Sequence, residues 1–358
     1  MTDLLSLTPD AARAALEQWL EERGEPAYRL RQVVPRLWQR PVPGWADATD
    51  LPAPLRAALA EAFPLRRLPL QTHQVSKDGT EKFLWSLEDG EAIESVLIPE
   101  GKRRTLCISS QAGCALGCVF CATGRMGFRR NLTAAEIAGQ VRELLLRDPA
   151  LKPTNIVFMG MGEPLLNWEA VDTTLTILNQ PEGLGIGARH ITLSTVGILP
   201  NLAKFAKRKE QFRLAVSLHA PAPALRRELM PIEKKYALPE LMEALKQFRR
   251  RVTLEYVLIG GKNDAIETAD QLATLARPLE ALVNLLPLHP GGAPDLTPSP
   301  KAQMLAFERR LKARGVEAVL RRSRGLDISA ACGQLRVEVE RRARGPDKVR
   351  SEEHAHIE

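Results

Sequence analysis

Three of the chain's five cysteines fall within eight positions, in the stretch from Ser109 to Gly124 that reads SSQAGCALGCVFCATG. Thiols at Cys114, Cys118 and Cys121 are nucleophiles, metal ligands or redox partners, depending on their surroundings. A disulfide needs a geometry that neighbours this close on one tight loop rarely provide. The N-terminus carries no apolar signal-peptide core, and no window approaches the roughly 20 apolar residues of a membrane span. The chain therefore reads as cytoplasmic, where thiols stay reduced and a cysteine group signals metal or catalysis. Structural zinc takes four ligands, commonly as two close pairs. Here there is one C-x3-C-x2-C triplet, and the nearest histidines, His73 and His190, are far off in sequence. A four-iron four-sulfur (4Fe–4S) cluster also takes thiolates, normally four. Three thiolates leave one iron open, and an open iron is where a substrate binds. A zinc site completed by a distant histidine is one alternative. Three buried thiols packed as small hydrophobes are another, which the Gly-rich polar loop disfavours.

Other residues with chemistry stand at comparable places. MGMGEPLLN, beginning at Met159, follows a strand-like run. Gly160 and Gly162 allow close backbone approach, and Glu163-Pro164 ends the run in an extended turn. Ser194 ends ITLSTVG, and Ser217, Leu218 and His219 end LAVSLHA. Short hydroxyls and an imidazole at strand tips can hydrogen-bond a ribose and an adenine, with His219 a positioning group rather than a general base. A lone strand-end serine is otherwise a turn former. Cys107, in RTLCISS, precedes the triplet, and Cys332, in GLDISAACGQL, lies far beyond it. Small neighbours and Gly333 suit Cys332 to a reachable, reactive thiol on a flexible segment.

The elements that must position these groups separate by pattern. Residues 1–66 read as short amphipathic helices, with Thr8-Pro9 opening the first and Gly24 closing it. Residues 67–100 alternate in the manner of strands, with hairpin turns at Asp78-Gly79 and Asp89-Gly90. Residues 101–322 alternate buried strands, RTLCISS, TNIVFMGMG, HITLSTVG, RLAVSLHA, TLEYVLIGG and LVNLLPLH, with amphipathic helices. Repeated β-α units predict an α/β fold with a parallel sheet. About six strands are too few for an eight-fold barrel, so a partial, open β/α barrel is expected, with ligands at the C-terminal strand ends. Residues 323–358 form a C-terminal segment carrying Cys332 and a polar tail that frays. The net charge of +7 and pI of about 9.3 suggest an anionic partner such as nucleic acid, supported by the runs RMGFRR, FRRR and RRSR. Alone, such a balance also arises from solvated arginines on helices.

The cysteine spacing resembles the signature of the radical S-adenosylmethionine (SAM) enzymes, and MGMGEP resembles their Gly-Gly-Glu-Pro element, with Met161 where Gly is common. By that resemblance the amino and carboxylate groups of SAM chelate the open iron. One electron then breaks the sulfonium to give a 5′-deoxyadenosyl radical, while Gly162 and Glu163 hold the methionine amino group. Taken in order, CISSQAGCALGCVFC, FMGMGEPLLN, LSTVG, SLHAP, ELMPI and DISAACGQL further resemble the adenine-C2 RNA methyltransferase family over nearly the whole chain, EPAYRLRQVVPRLW in the helical part included. That resemblance implies methylation of adenine C2 in 23S rRNA, with tRNA a further substrate of some members. It also implies two SAM molecules per turnover, an electron donor such as flavodoxin or ferredoxin, and a monomer without a membrane partner. One SAM methylates Cys332. The adenosyl radical takes a hydrogen from the S-methyl group, and the carbon radical adds to C2. Glu94 is the proton acceptor, and Cys107 resolves the protein–RNA adduct through a disulfide with Cys332. His289, in LPLHPGG, stands where the family has an Asn that contacts SAM; imidazole also both donates and accepts. Two rivals stay open: a relative that methylates adenine C8 with the same five cysteines, and a non-catalytic zinc-binding RNA adaptor.

Overall fold

The computed structural model describes residues 2–289, 293, 295–331 and 333–335. Cys332 and the polar tail lie outside the described residues.

Ten strands form one sheet: β1 (Leu70–Val75), β2 (Glu81–Ser86), β3 (Ala92–Glu100), β4 (Arg103–Cys107), and, beyond a small two-stranded ladder of β5 (Gln111–Gly113) and β6 (Phe128–Asn131), β7 (Asn155–Phe158), β8 (Ile191–Thr195), β9 (Arg213–Ser217), β10 (Thr253–Leu258), β11 (Leu282–Pro287) and β12 (Ala318–Leu320). From β4 through β7 to β12 every neighbouring pair is parallel. The six expected strands are present, and β12, too short to show a sequence pattern, extends the parallel run. The 67–100 segment supplies β1, β2 and β3, which continue the same sheet antiparallel from β4. Its turns fall at Gly79 (φ +81°) and Gly90 (φ +85°), the positive values that two-residue hairpins need.

The crossover helices include Ala134–Arg147, Trp168–Asn179 and Ile266–Ala276. Thr133 and Glu136 form a capping box at the first of these, each side chain bonded to the other's backbone N–H. The N-terminal helix Pro9–Glu22 starts at Thr8 and stops before Gly24 (φ +68°), as its caps predict. In PAYRLRQVVPRLWQR the helix ends at Val33 and passes into a 3₁₀ turn containing Pro35, which has no N–H to continue the helix. Residues 2–66 pack on helix Ala134–Arg147 in a hydrophobic core continuous with that of the sheet. Buried Arg142 of that helix donates to the carbonyls of Leu37 (3.0 Å) and Val42 (2.6 Å), and Arg67 forms a bidentate pair with Glu143.

Strand pairing decides which residues share a face. Directly opposed residues point the same way, and positions two apart along a strand repeat. The register runs Val96–Cys107–Val157–Thr192 across β3, β4, β7 and β8, then Ser194–Ala215–Thr253, with Ser217 opposite Glu255 and Glu255 opposite Asn284. Lys82 and Glu94 join the same face through Val96 and Leu84. One face of the curved sheet thus carries Lys82, Glu94, Cys107, Ser194, Ser217 and Glu255. On the opposite face Leu106, Ile156, Phe158, Leu193 and Leu254 are buried.

Candidate active site

Beyond β4 the chain turns into β5, loops through the cysteine triplet, makes the short helix Ala122–Arg125 and returns as β6. Gly113 has φ +78°, and a Cβ there would stand 2.1 Å from the Gly127 carbonyl oxygen, so only glycine fits this turn. The loop is wound on itself. The Cys114 N–H donates to the Gly127 carbonyl (2.9 Å), Cys121 N–H to Cys118 (3.1 Å), and Val119 N–H to Leu229 (3.1 Å). Cys114 and Cys118 are buried and Cys121 half-buried. Burial, with neighbouring Cys121 and Glu163 adding to it, pushes the Cys114 thiol up to about 12. Burial raises Cys118 and Cys121 too, and for Cys118 the other two thiols add to it. Three thiols that would repel one another as thiolates need a cationic partner to ionise together, which is what a cluster iron provides. Among the described residues, no three His, Cys, Asp or Glu side chains converge on one point as a single metal ion requires. A cluster that takes one thiolate on each of three irons makes no such demand. The donor set fits a 4Fe–4S cluster with one open iron.

The loop after β7 runs beside the cysteine loop. Ser110 and Gln111 N–H groups donate to the Met161 carbonyl, and Met161 N–H donates to Ser109 Oγ. Gly162 sits at φ +97°, and a Cβ would stand 2.5 Å from Gln111 Cβ. The Glu163 carboxylate is buried and already accepts three hydrogen bonds: from Leu165 N–H (3.0 Å), Thr195 Oγ1 (2.6 Å) and Val196 N–H (2.9 Å). Burial still pushes it up to about 7, against the lowering effect of these donors. Glu163 therefore clamps the end of β7 to the end of β8, as well as facing the cysteine loop. Gln111 completes the clamp by accepting from Glu163 N–H (2.8 Å).

At the strand tips Ser194 and Ser217 lie on the shared face, Leu218 is buried, and His219 adopts φ +57°. His219 Nδ1 accepts from Val257 N–H (3.0 Å), so the proton sits on Nε2. Burial drives this histidine down to about 3, with Arg226 adding to the effect. A histidine held neutral in this way does not take up and release a proton near neutral pH. Its ring meets Phe120 of the cysteine loop edge-on at 4.6 Å. Buried Asn263 holds the turn from beneath, donating to the carbonyls of His219 and Val257 and accepting from Ile259 N–H. His289, at the end of β11, is half-buried, which lowers its pKa, and hydrogen-bonds Ser323 Oγ (2.5 Å).

Glu94 and Cys107 are both buried, on β3 and β4. Lys82, also buried, approaches Glu94 at 3.6 Å. Over them lies the segment that leads to position 332. The hairpin turn grips it: Gly325 N–H donates to Asp78, and Asp327 accepts from Ser76 Oγ and Lys77 N–H. On the other side of position 332, the Gly333 carbonyl accepts from Ala122 N–H of the cysteine loop (2.7 Å). Residues 325–331 and 333 are thus held at both ends, where the sequence suggested a loosely tethered run. The Arg-rich stretch RMGFRR is also less available than expected, because Arg130 is paired with Glu136 and Asp89.

Sequence reasoning passed over Gln111, Thr195, Asn263 and Lys82. Lys82 alone left a readable signal: a charge at an inward position of an alternating strand. The other three are ordinary polar residues until the fold brings their partners to them.

The radical SAM superfamily model matches residues 108–273. A protein of Gemmatimonas aurantiaca named "Probable dual-specificity RNA methyltransferase RlmN" is 60% identical over 338 residues, covering 94% of each chain. A protein of the same name from Geobacillus kaustophilus is 45% identical over 342 residues, covering 94% of this chain and 93% of its own. The crystal structure of a radical SAM methyltransferase from Sphaerobacter thermophilus is 44% identical and superposes with a TM-score of 0.87, covering 94% of this chain and all of that one. A three-cysteine loop, a glycine–glutamate clamp beside it and polar strand tips facing both agree with these likenesses: the chain belongs to the dual-specificity RNA methyltransferase family RlmN of the radical SAM superfamily and is a SAM-dependent RNA methyltransferase.

Proposed function

We propose that this enzyme methylates carbon 2 of a specific adenosine in 23S rRNA, with an adenosine of the tRNA anticodon loop as its second substrate. The reading is supported above all by one observation: Glu94, Cys107, Ser194 and Ser217 share a single face of the sheet, beneath the segment that leads to Cys332. Adenine C2 is an sp² carbon with no lone pair to attack a SAM methyl group directly, so the methyl must be carried and activated. Two SAM molecules per turnover supply the methyl group and, at a 4Fe–4S cluster, the radical that activates it.

This chain's residues do the rest. Cys114, Cys118 and Cys121 hold the cluster. The Gly162 backbone and Glu163 receive the methionine end of SAM. Ser194, Ser217, Leu218 and His219 receive its nucleoside, and His289 adds a contact from β11. Cys332 carries the methyl group. Glu94 accepts the proton that leaves adenine C2. The Cys107 thiolate then attacks the Cys332 sulfur: a sulfur–sulfur bond forms, the carbon–sulfur bond breaks, and the methylene carbon on adenine keeps that electron pair and takes a proton from water, so the RNA departs methylated. Residues 1–66 extend the RNA-binding surface of a monomer that works in the cytoplasm, with flavodoxin or ferredoxin as electron donor. Among the described residues no helix is long and apolar enough to cross a membrane.

The test is mass spectrometry of 23S rRNA and tRNA from a strain lacking the protein, with and without complementation. Loss and return of a methyl group on adenine C2 in both RNAs is expected. A C8 methyl, or no change in either RNA, would reject the reading. The two cysteines outside the cluster should also fail differently. Cys332→Ala should never attach to RNA, whereas Cys107→Ala should stall with RNA covalently bound.

A further inference from the structure

The buried pair of Lys82 and Glu94 raises a question of charge. Glu94 is 1% and Lys82 5% exposed. A carboxyl group this deep favours its neutral form unless a cation or several hydrogen bonds oppose the burial. A neutral carboxylic acid cannot accept a proton. Lys82 Nζ lies 3.6 Å from Glu94 Oε1, within the range over which an opposite charge lowers a carboxyl pKa by about 1–3 units. The same ammonium reaches the carbonyl of Ser329 at 3.4 Å, three residues before Cys332. Among the described residues, this face also carries the Cys107 thiol, on β4 beside Glu94's strand, and the Glu255 carboxyl, on β10 further across the sheet. Asp78 and Asp327, at the hairpin turn, are engaged with Gly325 and with Ser76 and Lys77.

We propose that Lys82 is a positioning residue of the methylation site: its ammonium joins the Glu94 carboxylate to the Ser329 carbonyl, so that one cation keeps the carboxylate charged and ties down the segment leading to Cys332. The proposal rests on Glu94 as proton acceptor and Cys332 as methyl carrier. Position and charge are then coupled. When residues 325–331 sit on the hairpin, Lys82 is held between them and β3, and the carboxylate beneath is ready to act. The grip of Asp78 and Asp327 is independent of Lys82, so replacing the lysine loosens this segment without releasing it.

The experiment uses full-length, cluster-loaded protein as wild type, Lys82→Met, Lys82→Arg and Glu94→Gln. Difference infrared spectra, with Glu94→Gln as the subtraction, follow the Glu94 carboxyl band against pH. Single-turnover RNA methylation is measured over the same pH range, and hydrogen exchange reports on residues 325–331. In Lys82→Met the Glu94 titration should move up by about one unit or more. The acid limb of the methylation profile should move with it, and residues 325–331 should exchange faster. Lys82→Arg, which keeps the charge, should restore all three. An unmoved titration in Lys82→Met overturns the proposal while leaving Glu94 in its role. A titration that moves while the methylation profile stays in place rejects Glu94 as proton acceptor, and Lys82's part in the reaction with it.

Discussion

Arg226 and Glu233 form a fully buried ion pair at 2.6 Å, with side chains 0% and 1% exposed. The guanidinium also donates to the Val196 carbonyl at the end of β8, and Glu233 accepts from Leu238 N–H. The helix that carries Arg226, Pro223–Leu229, ends at the carbonyl that accepts from Val119 of the cysteine loop. One pair therefore braces the Glu163 clamp and the cysteine loop together. Arg226→Met leaves a buried carboxylate without its cation, and breaking such a pair costs about 3–5 kcal/mol. Glu233→Leu strands the guanidinium and should cost a similar amount. In the double variant no buried charge remains, and apolar side chains of similar volume replace the pair with little penalty. What persists is an unpaired Val196 carbonyl and an unpaired Leu238 N–H, at roughly 1–3 kcal/mol each. The double variant should therefore lose about 2–6 kcal/mol, less than the 6–10 kcal/mol sum of the singles, a strong coupling. Equilibrium urea denaturation at matched cluster loading measures all four corners of the cycle. Single variants within about 1 kcal/mol of wild type, or costs that simply add, would refute the claim that this pair organises the site.

Replacing any one of Cys114, Cys118 or Cys121 by Ala should abolish the visible absorption of the anaerobically reconstituted protein and all RNA methylation; a full cluster on any single variant would reject the ligand assignment. Gly162→Ala forces a Cβ to within 2.5 Å of Gln111 Cβ and 2.8 Å of its backbone nitrogen, at a positive φ. It should cost about 1–3 kcal/mol from overpacking and weaken SAM binding, both readable by denaturation and equilibrium dialysis. Burial, with Arg226 adding to it, depresses His219 to about 3 in the folded state from 6.5. Its neutral form thus contributes stability that is complete above about 6.5 and lost as pH falls towards 3. His219→Asn, which tolerates the positive φ, should flatten that part of the pH–stability curve, and an unchanged curve would show that the histidine is not held neutral. RNA affinity should fall steeply with salt, in line with the number of phosphate contacts, and a flat dependence would leave the exposed arginines as a solvated surface.

Much of this protein is legible before it folds, because some of its constraints act over a few neighbouring residues. Ligand type and spacing in a three-thiol loop are local facts. So are the Asp-Gly hairpin turns, the helix ends at Thr8 and Gly24, and the alternation of apolar strand runs with amphipathic helices. These were enough to expect a partial barrel with chemistry at its strand ends. Long-range pairing could not be read in the same way. Nothing in RTLCISS or AIESVLIP says that Cys107 and Glu94 share a face with Ser194 and Ser217; that follows from the register between strands far apart in the chain. Glu163 reads as a ligand-binding carboxylate, yet its oxygens also clamp β7 to β8, because Thr195 and Val196 arrive only when the strands align. The run after RRSRG reads as loose because its composition is small and polar. Its bonds to Ser76, Lys77 and Asp78 come from a hairpin some 250 residues earlier. Chemistry carried by residue type and short spacing is written in the sequence, while faces, charge partners and anchorage are decided by the closing of the sheet, since each depends on atoms that only the tertiary fold brings within hydrogen-bonding range.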